Sequence, residues 1–321
     1  MSPDIVSRLE AADATRAPIP PGEVTVMLAG TAEKPFTKDG WVFEIKYDGY
    51  RLLAGKRAGT TFLTSRAGND FTRTFPDVAK AIDKLPYDGF IVDGEVVVHD
   101  DSGIPDFQRL QKRGRLTKTL EIARAAGALP ATLYVFDLLS FDDFDVRKLP
   151  LTKRKEVLRL LLPTVGPLRY SEHIAREGEA VFEQVNKLRL EGVVAKKADS
   201  PYRSGRSDDW LKIRAERTDD FVIVGFTEPK ASRGGFGALH LAQYDGDLVY
   251  CGSVGTGFSA QQLDEIRELL DERLRDDAPC AGEIPHSDKH HWVDPDLVCE
   301  VRFREITEQG MLRHPSFLRF R

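Results

Sequence analysis

The chain has 321 residues, of which 41% are hydrophobic and 30% charged, with a formal net charge of −5. That is the composition of a soluble globular protein with room for two domains. No apolar run approaches a membrane span and the first residues have no apolar signal core, which excludes the membrane and secretory classes. The charge does not advertise a nucleic-acid binder: residues 219–321 hold 11 basic and 19 acidic side chains, so any contact with a phosphate backbone must come from local basic patches. Three cysteines, Cys251, Cys280 and Cys299, are an odd number in a long chain and are expected as reduced thiols in a cytoplasmic protein.

In chain order, residues 1–20 are rich in Ala and Pro and read as a tail or linker. From Trp41 the pattern is mixed α/β. Strand-like runs cover 41–47, 90–98, 133–139, 192–197 and 210–214, and helix-like stretches cover 75–85, 152–162 and 178–190. After about residue 218 the character changes to short glycine-punctuated strands, DFVIVGFTE, ALHLAQYDG and DLVYCGSVG. One amphipathic helix follows, with Ser259 as its N-cap and Leu263, Ile266, Leu270 and Leu274 on one face. Two further strands end the chain. This divides the protein into a first domain over 21–217 and a second over 218–321, the latter suited to a small barrel such as an OB-fold.

Alternation along WVFEIKY places Glu44, Lys46 and Asp48 on one face and Trp41, Phe43 and Ile45 on the other. A lysine between carboxylates is, taken alone, more often a surface salt bridge than a site. Asp48-Gly49 then turns sharply and Arg51 brings back a second cation. A nucleophilic lysine must lose its proton, which neighbouring cations or desolvation favour, and Arg51 together with a bound metal ion could supply this.

Lys46-Tyr47-Asp48-Gly49 with Arg51 resembles the K-x-D-G-x-R signature of the covalent nucleotidyltransferases: DNA ligases, RNA ligases and mRNA capping enzymes. The wider text resembles the ligase domain of bacterial non-homologous end-joining ligases (ligase D). It runs from GWVFEIKYDGYRLLA through SRAGNDFT, DGEVVV, YVFDLL, EGVVAKK and SPYRSGRSDDWLKIR to VGTGFS and LRHPSFL. The resemblance covers nearly the whole chain from about residue 26, and it rests on the order and spacing of many pieces. It implies an α+β architecture: an ATP-grasp-like nucleotidyltransferase domain of antiparallel sheets and flanking helices, followed by a C-terminal OB-fold β-barrel. It also implies an ATP-dependent ligase that seals nicked or broken double-stranded DNA through AMP bound covalently to Lys46, with Mg²⁺ or Mn²⁺. A monomer in the cytoplasm, nucleoid-associated when on DNA, and Ku as a candidate partner complete the expectation.

Residue by residue, the resemblance makes Lys46 the nucleophile, with Asp48, Arg51 and Lys212 in the catalytic set. Glu95 helps hold the ribose and the metal, and Glu191 is a direct or water-mediated metal ligand. Phe136 stacks on the purine, Lys196 contacts phosphate, Lys212 and Arg214 grip the α-phosphate, and Arg66 contacts the ribose or the DNA 5′-phosphate. Glu44 belongs to the nucleotide-binding set. Without the family, Phe136 reads as a core aromatic. Strict alternation from Glu191 puts Lys197 rather than Lys196 on its face unless Glu191 precedes the strand. Arg214 stands where many relatives have lysine, which exchanges a point charge for a planar fork. The family's terminal R-x-D-K motif aligns only its first residue here, with Arg321; loading from ATP is therefore expected to be slow relative to sealing of pre-adenylylated DNA.

Two features fall outside this set. Ser232 to Gly237 is a glycine-rich stretch that opens onto no obvious helix, and it reads as a barrel turn with Arg233 near DNA. His286, His290 and His291 match no zinc spacing and read as exposed loop residues. The rival readings are an RNA ligase or capping enzyme, and a non-catalytic OB protein that binds nucleic acid.

Overall fold

The computed structural model describes residues 3–19, 23–215, 217–229, 234–284, 289–307 and 309–321. Ser232, Arg233 and His286 lie outside them. The chain divides into two compact units, Met1–Ala215 and Glu216–Arg321. No helix among the described residues is long and apolar enough to cross a membrane.

The first unit is built on two sheets. The seven-stranded sheet is almost wholly antiparallel and contains Tyr50–Arg57, Thr60–Ser65, Phe90–Val98 and Ala131–Phe141. The five-stranded sheet runs His173–Ala175, Trp41–Ile45, Gly192–Lys197, Gly205–Arg214 and Met27–Thr31. Each sheet has helices on its outer face. Leu110, Val78, Ile82, Leu158 and Leu161 bury against the outer side of the larger sheet, and Val185 of helix Gly178–Lys187 buries with Trp41, Phe43 and Ile213 against the smaller one. Between the sheets lies a separate core in which Leu53, Ile91 and Leu139 of one meet Met27 and Trp210 of the other. Apolar burial of this kind, worth roughly 25 cal/mol per Å² of apolar area, holds the two layers face to face.

Residues 1–20 correct the sequence reading. Pro3–Ala11 is a helix, and Ile5 and Leu9 are fully buried in the core of the larger sheet. A helix of only nine residues, with two buried apolar anchors, gave too weak a periodic signal in an Ala-rich stretch.

The strand Phe90–Val98 is buried along its length except at Glu95, because Val92, Val96 and Val98 pack into the outer core and Ile91 into the core between the sheets. Its partner Ala131–Phe141 shifts register at two places, between Ile91 and Val92 and again between Asp93 and Gly94. The second shift leaves Phe136 as the extra residue, since Asp93 pairs with Asp137 and Gly94 with Val135. A bulge re-aims a side chain, and this one turns Phe136 into the space between the sheets, where it packs with the inter-sheet core. Next to it, Asp137 is fully buried and takes a bidentate pair from Arg154 of helix Leu151–Leu161, at 2.7 and 2.8 Å.

The second unit is a sheet in the order Asp247–Val254, Leu239–Asp245, Arg217–Thr227, His290–Phe303, with Leu274–Arg275 and Ser316–Phe320 both on the last strand. The expected helix is Ala260–Asp271, with Ser259 capping it in a capping box; Leu274 instead lies in a strand and is exposed. The closed barrel is not formed: among the described residues no ladder joins the first strand to the last. Leu263, Ile266 and Leu270 of the helix bury with Phe226, Phe236 and Phe317, so a helix rather than a closing ladder covers that core. His290 and His291 are strand residues, not loop residues. His290 stacks on the buried His240, with Nδ1 at 2.8 Å from its Nε2, while the Tyr250 hydroxyl lies 2.9 Å from His240 Nδ1.

Two outcomes follow from these buried groups. Arg154→Met leaves the Asp137 carboxylate buried and unpaired, and loss of one partner of a buried pair costs about 3–5 kcal/mol; urea unfolding should show that loss of stability in the first unit. Burial, then His290, pushes His240 down to about 4 from an ordinary 6.5. The unfolded chain therefore takes up the proton first as pH falls, so stability is full above 6.5 and declines toward 4. Melting of the second unit followed from pH 7 to 4 should show this decline, and His240→Gln should flatten it.

Candidate active site

A cavity of about 310 Å³ opens between the two sheets of the first unit. Its walls include Glu44, Lys46, Arg51, Arg66, Glu95, Phe136, Lys196, Lys212 and Arg214. The expected nucleotide-binding residues, spread over 171 positions of sequence from 44 to 214, thus meet in one place. Asp48 is not in the cavity wall; it lies in the turn beyond Lys46. The same turn explains Gly49, where an added Cβ would lie 2.2 Å from the Val96 carbonyl oxygen.

Register sets most of these positions. In the smaller sheet Glu44 pairs with Val194 and Val194 with Lys212, while Lys196 pairs with Trp210. The inward row is therefore Glu44, Val194, Lys196, Trp210 and Lys212, and Phe43, Val193, Ala195 and Ile213 point the other way into a separate core. Glu191 precedes the strand Gly192–Lys197. That removes the alternation objection: Lys196 is in the cavity, and Lys197 reaches Asp209 at 2.8 Å. In the larger sheet Arg51 pairs with Glu95 across the strands.

Lys46 leaves the end of strand Trp41–Ile45, where its amide donates to the Gly192 carbonyl at 2.9 Å, and its ammonium is ion-paired with Glu191. Arg51 does not stand as a free cation beside it, as the sequence suggested. Its Nε and Nη2 donate to Asp93 at 2.9 and 2.6 Å, and its charge is matched there. Burial works against the Arg51 cation, but Asp93 outweighs it and holds the guanidinium above its ordinary range.

Glu44 is 2% exposed. It accepts from Lys155 Nζ at 2.8 Å, from Lys196 Nζ at 2.9 Å and from the Ser171 hydroxyl at 3.1 Å. Burial opposes its charge, yet the two lysines prevail and keep the carboxyl below the usual range. Lys196 is in turn pushed down to about 8 by burial, against the pull of Glu44, and its Nζ lies 4.5 Å from the Phe136 ring centroid and 4.2 Å from that of Trp210. Lys196 is thus already bound to Glu44. Lys212 is held down first by burial and then by Arg214, Arg206 and Lys46, which makes this end of the cavity a crowd of cations.

The anionic side is small. Burial pushes Glu95 up to about 8, and Glu191 and Asp93 push in the same direction while Arg51 and Lys46 oppose them. No group of three or more His, Cys, Asp or Glu among the described residues could hold a metal by itself. Glu95 and Glu191 fit a hard divalent ion of the Mg²⁺ kind, which takes one or two carboxylates and completes its shell with water and phosphate oxygens.

Lys155, Ser171, Trp210, Arg206 and Tyr202 were not singled out from sequence. Lys155 lies on a helix whose periodicity predicts only packing, and no local signal distinguishes a lysine that faces inward from one that faces water. Trp210 sits inside the WLKIR run, where an aromatic residue next to basic ones reads equally well as core.

Comparison with known proteins agrees with this geometry. Residues 26–214 match the family model described as the ATP dependent DNA ligase domain, and residues 232–321 match the ATP dependent DNA ligase C terminal region. The multifunctional non-homologous end joining protein LigD of Pseudomonas aeruginosa is 38% identical over 299 residues, 90% of this chain and 34% of that protein. The chain therefore spans about a third of the length of that relative. The SPbeta prophage-derived DNA ligase-like protein LigB of Bacillus subtilis is 29% identical over 92% of this chain and 97% of its own length. Among solved structures, the ligase domain of LigD from M. tuberculosis superposes with a TM-score of 0.57 at 31% identity, covering 94% of this chain and 96% of that one. A mycobacterial DNA ligase D complexed with ATP gives 0.55 at 30%. With a family model over more than half of its residues and the K-x-D-G-x-R lysine in the wall of the shared cavity, the chain belongs to the ATP-dependent DNA ligase family.

Proposed function

We propose that this chain seals 5′-phosphate/3′-hydroxyl breaks in double-stranded DNA at the expense of ATP, through AMP carried on Lys46, and that it serves end-joining repair, with Ku as a candidate partner. The observation that carries this reading is the convergence of Lys46, Glu95, Phe136, Lys212 and Arg214 on one inter-sheet cavity. The end-joining assignment rests on the likeness to LigD proteins.

In the first step Lys46 Nζ attacks the α-phosphorus of ATP, an N–P bond forms and pyrophosphate leaves. The Glu191 carboxylate beside the ammonium is placed to orient Lys46 and to take up its proton. Lys212 and Arg214 lie on the same wall and offset the charge that builds on the phosphate oxygens. A divalent ion held at Glu95 and Glu191 supplies further charge neutralisation when bound. In the second step a DNA 5′-phosphate oxygen attacks the lysyl-AMP, the N–P bond breaks and Lys46 is regenerated. In the third the neighbouring 3′-hydroxyl attacks the activated phosphate and AMP leaves. Phe136, half-buried and re-aimed by its bulge, offers a face for the purine.

Incubation with α-labelled ATP and Mg²⁺, followed by denaturing electrophoresis, tests the covalent step. The chain should take up label and Lys46→Ala should take up none; no label on the chain, with no sealing of pre-adenylylated nicks, refutes the reading. Nicks with DNA and RNA 3′ ends then separate DNA from RNA ligation. Stacking on an aromatic is worth about 1–3 kcal/mol per base, so Phe136→Ala should weaken ATP binding by roughly tenfold to a hundredfold, measured by calorimetry.

A further inference from the structure

We propose that Tyr202 is a positioning residue for Arg51: its hydroxyl fixes the Asp93 carboxylate that holds the guanidinium at the cavity wall, and in doing so ties the two sheets together beside it. The proposal builds on the reading of that cavity as the nucleotide site.

Tyr202 lies between the strands Gly192–Lys197 and Gly205–Arg214 of the smaller sheet. Its ring is 6% exposed and packs edge-on against Trp210 at 5.8 Å. The Met27 amide, in the edge strand of the same sheet, donates to the phenol oxygen at 3.0 Å. With that acceptor position filled, the phenol proton points to Asp93 Oδ2, 2.6 Å away on the central strand of the larger sheet. Burial and then Asp93 push the phenol above its ordinary range, so it remains a donor.

Asp93 is fully buried and takes three donors: the Tyr202 hydroxyl, Arg51 Nε and Arg51 Nη2. A buried carboxylate loses water that it must replace with donors. With phenylalanine at 202, Oδ2 keeps Arg51 alone, and the carboxylate is no longer held from the opposite sheet. The guanidinium carbon lies 5.2 Å from the Phe136 ring centroid and 5.7 Å from that of Trp210, so a rotation of Asp93 moves Arg51 against both cavity aromatics. Arg51 lines the cavity, and among the described residues its Nε and Nη2 donate hydrogen bonds while Nη1 donates none. That edge is the one available to a ligand, and Tyr202 sets where it points.

The test is a double-mutant cycle on the whole chain: wild type, Tyr202→Phe, Arg51→Ala and the double variant. Two readouts are taken, the single-turnover rate of lysyl-AMP formation and ATP affinity by calorimetry. A hydrogen bond to a charged group is lost, so Tyr202→Phe should slow formation by about tenfold or more. The double variant should be no slower than Arg51→Ala alone, because the effect runs through Arg51. A purely structural tyrosine would give losses that multiply, and that result, or a wild-type rate in Tyr202→Phe, overturns the proposal. Asp93→Asn provides the same cycle should Tyr202→Phe fold poorly. The affinity cycle needs no chemistry and decides the proposal even in a chain that takes no label. Absence of label alone would count against the proposed function and not against Tyr202.

Discussion

Glu44 is the fixed point around which the cavity is arranged. It is one carboxylate, almost without contact with water, that satisfies two lysines from different elements: Lys155 from helix Leu151–Leu161 and Lys196 from the neighbouring strand. Taking three charges out of water costs several kcal/mol per ion before their attraction is counted. Such a cluster is therefore weak evidence for stability and better evidence for position. Remove Glu44, and two ammonium groups are left in a site that cannot solvate them. Remove Lys155, and the strand that leads to Lys46 loses the ion pair that holds it against the helix.

The same logic sorts the cations in and behind the cleft into two groups. Lys155, Lys196, Arg154 and Arg51 have carboxylate partners within the fold: Glu44, Asp137 and Asp93. They shape the walls. Lys46 is paired with Glu191 at the cavity wall, while Lys212 beside it is held down by burial and by its cationic neighbours Arg214, Arg206 and Lys46. A polyphosphate entering this end meets the clustered charge of Lys212, Arg214 and Arg206. This resolves the apparent conflict between an acidic chain and an anionic substrate: the field that matters is local.

The strand pattern between the sheets serves the same end. Leu53, Ile91, Leu139, Met27 and Trp210 keep the layers in contact at the back, while polar side chains line the front. The bulge opposite Asp93 and Gly94 is what brings Phe136 to the boundary between these regions, so an aromatic face sits beside the charged wall. In the second unit, Phe236 and Phe317 share a core with helix Ala260–Asp271, and a capped helix completes what a closed ladder would otherwise have done.

The sequence alone determined the candidate residues that converge on the cavity and their order along the chain. Alternation separated Glu44 and Lys46 from Trp41 and Phe43, because period 2 follows from the pleat itself, and the spacing of the motifs carried the family. Ser259 as a cap and the apolar face at Leu263, Ile266 and Leu270 were legible because capping and helical periodicity are local rules. What the tertiary structure decided were matters of partnership. Whether Arg51 faces Lys46 or Asp93, whether Lys196 or Lys197 enters the cavity, and whether Phe136 is core or wall depend on register, bulges and contacts between residues distant in the chain, 42 positions for Arg51 and Asp93 and 152 for Lys196 and Glu44. The burial of Ile5 and Leu9 and the pairing of Lys155 with Glu44 are of the same kind. A lysine or a short apolar pair carries no mark of what it will meet, since burial and charge matching are properties of the assembled layers and not of the local chain.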